Sequence, residues 1–189
     1  MWFYALLGAG FVGWTIVRAV LRIIEVAGNH DVRVFAHFTG TPAEAPIGPD
    51  GSAVTVELET AFLLPQELPV ASVVALVLEP IVVVASVTVG VGSLLLLVWG
   101  VLHGRLFSRR HTALVAAATG AALFGLIMAP FLANMGANGA FAWISERTFD
   151  NAILTVDFVQ WFGIAFLGSI VTTAFSVGDR LQRDTDLLV

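Results

Sequence analysis

Four long apolar stretches leave this chain few folds to adopt, because about 20 apolar residues are what a helix needs to cross the hydrocarbon core of a bilayer. Trp2–Val17 opens the first stretch, which continues helically through Arg18 and Arg22 to about Val26. The second is clearest over Val82–Leu102, where no charged residue interrupts it. Thr112–Met135 forms the third and Thr155–Val177 the fourth. In hydrocarbon the backbone has no water to bond, so each stretch must pair its own N–H and C=O groups and is a helix. The valine-rich second stretch favours strand in water, but its length and flanks override that preference. Composition agrees: 58% hydrophobic and 12% charged residues, with a mean hydropathy of +0.90, lie far from a soluble domain. The expected fold is an all-α transmembrane four-helix bundle. It is a single domain over residues 1–189, with helices at about 2–26, 82–102, 112–135 and 155–177 and a small β-hairpin-containing extracytoplasmic insertion at about 27–81.

Arginine placement orients the helices. The short segment His103–His111 holds Arg105, Arg109 and Arg110, and the tail after Val177 holds Arg180 and Arg183. The two opposite loops hold only Arg33 and Arg147, together with many of the acids. By the positive-inside rule the central loop and both termini are cytoplasmic. The first stretch lacks the basic start and small-residue cleavage site of a signal peptide, and is kept as a helix. A net charge of −5 argues against direct nucleic-acid binding.

The first extracytoplasmic loop carries period-two patterning. Val32, Val34, Ala36 and Phe38 alternate with Arg33, Phe35 and His37, and Val54, Val56, Leu58 and Thr60 alternate with Thr55, Glu57 and Glu59. The Gly- and Pro-rich stretch Thr39–Gly51 between them reads as a bend joining two antiparallel strands. A lone hairpin is marginal in water and needs helix ends or the second loop to pack against. Val73–Leu78 reads either as a third strand or as an outward extension of the second helix. Asn134–Gly139 suits a turn after Pro130, which is expected to kink the third helix. Ala140–Ile153, with Phe141, Trp143 and Phe149, suits a short interfacial segment lying on the hairpin.

Residues able to carry chemistry are few. There is no cysteine, and no metal, nucleophile-elbow or phosphate-loop motif, so nothing argues for an enzyme or a cofactor. Five charged residues in the membrane region need a physical explanation: Arg18, Arg22, Glu25, Glu79 and Asp157. Arg18 and Arg22 lie one turn apart, either as an intramembrane anion site or ion pair, or snorkelling to headgroups with Glu25 neutralising locally. Glu79, before Pro80, is expected at the mouth of the second helix, where the helix dipole favours an acid. Asp157 and Gln160 lie one turn apart in the fourth helix, on a polar pathway if deep and at the interface if not. Gly90, Gly92, Gly120 and Gly125 are expected to permit close helix packing, and the second helix could dimerise through its glycines.

Two cytoplasmic segments carry a family resemblance. Gly104-Arg105-Leu106-Phe107-Ser108 followed by Arg109-Arg110, and Gly178-Asp179-Arg180-Leu181-Gln182-Arg183-Asp184-Thr185 with the tail Asp186-Leu187-Leu188-Val189, resemble the bacterial membrane proteins of domain-of-unknown-function family 2975. The chain is similar to that family in length, four helices, large first outside loop and the glycine and Phe-Ser turn after the second helix. The resemblance implies a bacterial cytoplasmic membrane and a partner, because family members are encoded beside a small helix-turn-helix regulator. It implies a cytoplasmic interaction face of Gly104, Arg105, Phe107, Arg109, Arg110, Arg180 and Arg183, with Phe107 as apolar anchor and the arginines facing an acidic partner. The plainer reading has the same arginines bound to anionic lipid. Three function classes follow: a regulatory or sensory partner of that cytoplasmic regulator, an accessory subunit of a larger membrane complex, and a small transporter or channel. The long uncharged second and third stretches argue against the last.

Overall fold

In the computed structural model, which describes residues 2–103, 107–149 and 153–186, the chain forms four helices and one β-hairpin. Helix α1 covers Trp2–Ala27, strand β1 Val34–Ala45 and strand β2 Val54–Leu63; α2 covers Val70–Leu102, α3 Arg109–Ile144 and α4 Phe158–Asp186. All four helices are long and apolar enough to cross a membrane.

Three boundaries differ from those expected. Helix α2 begins twelve residues early, at Val70 rather than Val82, so Val73–Leu78 is helix and not strand. Pro69 starts it: its carbonyl oxygen accepts the N–H groups of Ser72 and Val73 at 2.9 and 3.1 Å, and its own missing N–H costs nothing there. Helix α3 runs through Asn134–Gly139 without a turn and ends at Ile144, nine residues past the expected Met135. The true stop is Ser145–Arg147, where Glu146 and Arg147 adopt left-handed φ values of 51° and 65°. Helix α4 begins at Phe158 and continues to Asp186, beyond the expected Val177.

The chain divides into two compact units. A helical unit comprises Met1–Val20, Pro80–Ala129 and Val156–Val189; a hairpin unit comprises Leu21–Glu79 and Pro130–Thr155. Helices α1, α2 and α3 contribute residues to both, and α4 to the first alone.

The helical unit is joined through small residues. A side chain added at Gly8 of α1 would press on Val91 and Leu95 of α2, and one at Gly125 of α3 would press on Ser86 of α2. Gly168 of α4 abuts Thr119 of α3, and Gly100 of α2 abuts His111 of α3. The step from Gly100 to Ser86 matches the step from His111 to Gly125, so α2 and α3 run antiparallel in register here. Of the four glycines expected to mediate packing, only Gly125 does so; Gly90, Gly92 and Gly120 have open space around them. Large apolar side chains point outward instead, among them Trp2, Phe3, Leu6 and Trp14 on α1 and Phe158, Phe162, Phe166 and Leu167 on α4. The most apolar stretch of α4 buries none of its residues. Such a surface is stable against lipid and unstable against water.

The hairpin unit is built the other way round. Val26, Val32, Val34, Ala36, Leu68, Leu76, Ala137, Ala140 and Phe141 form one buried cluster. Strand β1 pairs antiparallel with β2, Val34 opposite Leu63 and Ala36 opposite Ala61, which sends Val34 and Ala36 inward and Phe35 and Phe62 outward. The expected alternation therefore holds at the base. The bend is narrower than expected, since β1 continues through Thr39–Ala45 and is interrupted only by a register shift between His37 and Thr41. Gly40, at φ 75°, sits in that irregularity with the Glu57 side chain against it, and a single 3-10 turn at Pro49–Gly51 closes the hairpin. The required support comes from aromatic packing: Phe38 meets Phe141 edge-on at 5.0 Å, and Phe149 stacks beside Phe141 at 5.4 Å.

The polar residues expected to make a turn serve packing. Gly136 sits against Leu76 and Gly139 against Ser72, which brings α3 close to α2. The Asn134 amide donates to the Thr155 hydroxyl at 3.0 Å, and the Asn138 amide to the Ile153 carbonyl at 3.2 Å. Asn29, just past α1, does the equivalent for α2. Its amide donates to the Leu68 carbonyl at 3.2 Å and its oxygen accepts the Leu68 N–H at 2.9 Å, a two-point clasp that sequence patterning did not suggest.

Candidate functional site

The expected interaction face lies in the helical unit, where the α2–α3 connection meets the end of α4. Gly104 and Arg105 fall outside the described residues, as does the Arg183 side chain. Phe107 is packed on one side and exposed on the other. Its ring lies 5.6 Å from that of Phe175, and it covers Gly178 so closely that no side chain would fit there. The His111 ring approaches Phe175 edge-on at 6.5 Å. Phe107 thus holds the connection onto α4 with one face of its ring and leaves 39% of its surface exposed.

Arg109 and Arg110 open α3 and Arg180 follows Gly178 on α4, and all three are exposed. Because Phe107 touches Gly178, the start of α3 and the late part of α4, more than 60 residues apart in sequence, lie near each other in this unit. Ser108 caps α3: its hydroxyl oxygen accepts the His111 N–H at 3.2 Å and its carbonyl accepts the Thr112 N–H at 3.1 Å. At the end of α2, His103 folds back one turn, its Nδ1 2.8 Å from the Trp99 carbonyl oxygen and its ring stacked on the Trp99 indole at 4.5 Å. A serine before the helix and a histidine at the end of the previous one are legible cap signals.

The charged membrane-region candidates separate. In the helical unit Arg18 lies over the Trp14 ring at 5.5 Å. Asp157 is the N-cap of α4, not a member of its interior: its carboxylate accepts the Gln160 N–H at 3.0 Å and its carbonyl the Trp161 N–H at 3.0 Å. In the hairpin unit Arg22 pairs with Glu25 at 3.0 Å, and Glu25 also accepts the Arg33 N–H at 3.4 Å. Glu25 thus gives Arg22 a counter-charge on its own helix. Glu79 lies ten residues into α2, so the helix-dipole account of it fails with the start at Val70.

Comparison with protein-family models, with curated proteins and with solved structures gives no match.

Proposed function

We propose that this chain is a non-enzymatic multi-pass protein of a bacterial cytoplasmic membrane, with both termini cytoplasmic, acting as a regulatory or sensory partner of a cytoplasmic regulator. One observation supports the reading: Phe107, seated on Gly178 and Phe175, brings the start of α3, with exposed Arg109 and Arg110, near the stretch of α4 that holds exposed Arg180. Positive-inside residues scattered for topology alone have no need of a contact that holds their segments together. A cationic face suits an acidic partner, for which charge complementarity sets register and on-rate. The hairpin unit, with its own packed core, is a stable body of the kind an extracytoplasmic sensor requires. The resemblance to domain-of-unknown-function family 2975 favours a helix-turn-helix protein as that partner.

The test is affinity purification of the tagged protein in mild detergent, comparing wild type with Arg109→Ala combined with Arg180→Ala. Both residues are exposed, so the fold is retained. Recovery of a soluble DNA-binding protein with wild type, lost in the variant, supports the reading. Recovery of integral membrane proteins in equal amount with both supports instead an accessory subunit of a larger complex.

A further inference from the structure

A cavity of about 550 Å³ opens between the last turns of α2 and the first turn of α3. Helix α2 lends it Leu96, Trp99 and His103, and α3 with its cap lends Ser108, Arg110 and His111. Its charge is one-sided. Arg110 is permanently cationic, two imidazoles stand beside it, and no carboxylate is among the described residues that line it. The His103 Nδ1 faces a carbonyl oxygen, which can only accept, so that nitrogen carries the proton. His111 is held in place by burial, with 3% of its surface exposed. The first turn of α3 adds the N–H group of Arg110, which no preceding helical turn can pair. Cation, oriented N–H group and hydroxyl together are the chemistry of a phosphate site.

The walls say what carries the phosphate. Leu96 and Trp99 line the cavity yet stay 49% and 51% exposed, so the cationic end continues into an apolar stripe on α2. A free inorganic anion gains nothing from that stripe. A lipid with an anionic headgroup matches both ends, with the tryptophan at the boundary where its amphipathic ring is favoured.

We propose that this cavity binds the headgroup of an anionic phospholipid, the phosphate on Arg110 and the start of α3, the first acyl carbons against Leu96 and Trp99. The inference rests on the helices lying in a bilayer; it assigns Arg110 to lipid and leaves Arg109 and Arg180, the pair substituted in the docking test, to the partner face. Its test is native mass spectrometry of the purified full chain in detergent, titrated with phosphatidylglycerol, phosphatidylcholine or inorganic phosphate. Wild type is expected to retain phosphatidylglycerol about tenfold more tightly than phosphatidylcholine, and Arg110→Ala to lose about tenfold, the worth of one charged hydrogen bond. Arg109→Ala removes the same charge from a residue that does not line the cavity, and is expected to lose less than about threefold. Circular dichroism checks that both variants keep wild-type helix content, since alanine is favourable in a helix. Equal losses in the two variants, or no preference between the lipids, would overturn the site. Displacement of the lipid by millimolar inorganic phosphate would overturn the lipid assignment.

Discussion

The two units of this molecule differ in what they bury: the hairpin unit has a cluster of large apolar side chains at its centre, and the helical unit is joined through small residues. The hairpin unit hides Val26, Val34, Ala36, Leu76 and Phe141 in a common core and turns Glu44, Glu57 and Glu59 away from it. The helical unit hides Thr15, Ala19, Ser93 and His111 and turns Trp2, Phe11, Phe162 and Phe166 outward. The same physics produces both patterns if one unit is solvated by water and the other by lipid. In water the helices would need a broad apolar interface to hold together. In lipid, small residues suffice because close backbone approach supplies the attraction. Glycines at 8, 100, 125 and 168 supply that approach.

The contrast can be broken by placing a charge in each unit. Ala36, fully buried under the hairpin, is expected to give the largest effect: Ala36→Asp should cost about 4 kcal/mol or more, because the carboxylate gains no partner there. Loss of hydrogen-exchange protection across β1 and β2 would report it. Next comes Phe166→Arg on α4, at a site 66% exposed. Water would tolerate that change, whereas lipid should oppose it by about 2.5–3.5 kcal/mol in a membrane-insertion assay. Ile47→Arg, at a hairpin-bend site 70% exposed, is the matched control and should change stability by about 0.5 kcal/mol or less. Equal tolerance of arginine at the two sites would remove the reason for assigning them different solvents.

A smaller effect sharpens the account of the hairpin unit. Asn29→Ala breaks both bonds to Leu68 and leaves that N–H unpaired, an expected loss of about 1–3 kcal/mol in thermal unfolding. Asn29 sits at φ 42°, so Asn29→Gly separates the causes. Glycine relieves the backbone but not the missing bonds, and should remain destabilised if the clasp matters. Smallest is Glu25→Gln, which weakens a part-exposed pair with Arg22 and should cost about 1 kcal/mol or less.

The four helices and the hairpin were legible because each rests on a period or a length: alternation at Val32–Phe38, and uninterrupted apolar runs elsewhere. The boundaries were not, for identifiable reasons. Asn134, Gly136, Asn138 and Gly139 are turn formers by local chemistry, but here the glycines meet Leu76 and Ser72 and the amides reach Thr155 and Ile153. Tertiary contact overrode propensity. Pro69 precedes the first turn of α2 and Pro80 lies inside it, and patterning alone leaves open whether the residues between them are strand or helix. At the candidate site the arginines were legible as a group, while the part played by Phe107 was not. The phenylalanine beside the arginines reads only as an apolar anchor, and its contacts with Gly178 and Phe175 depend on α4, which local patterning does not bring into view.

The absence of native cysteine makes the central claim directly measurable. Single cysteines at Ile47, in the hairpin bend, and at Arg180, near the end of α4, would be labelled in intact cells with a membrane-impermeant maleimide. The account predicts that Ile47→Cys reacts in intact cells and that Arg180→Cys reacts only after permeabilisation. Reaction of both from the same side, or the reverse pattern, would contradict a hairpin unit and an arginine face separated by the membrane.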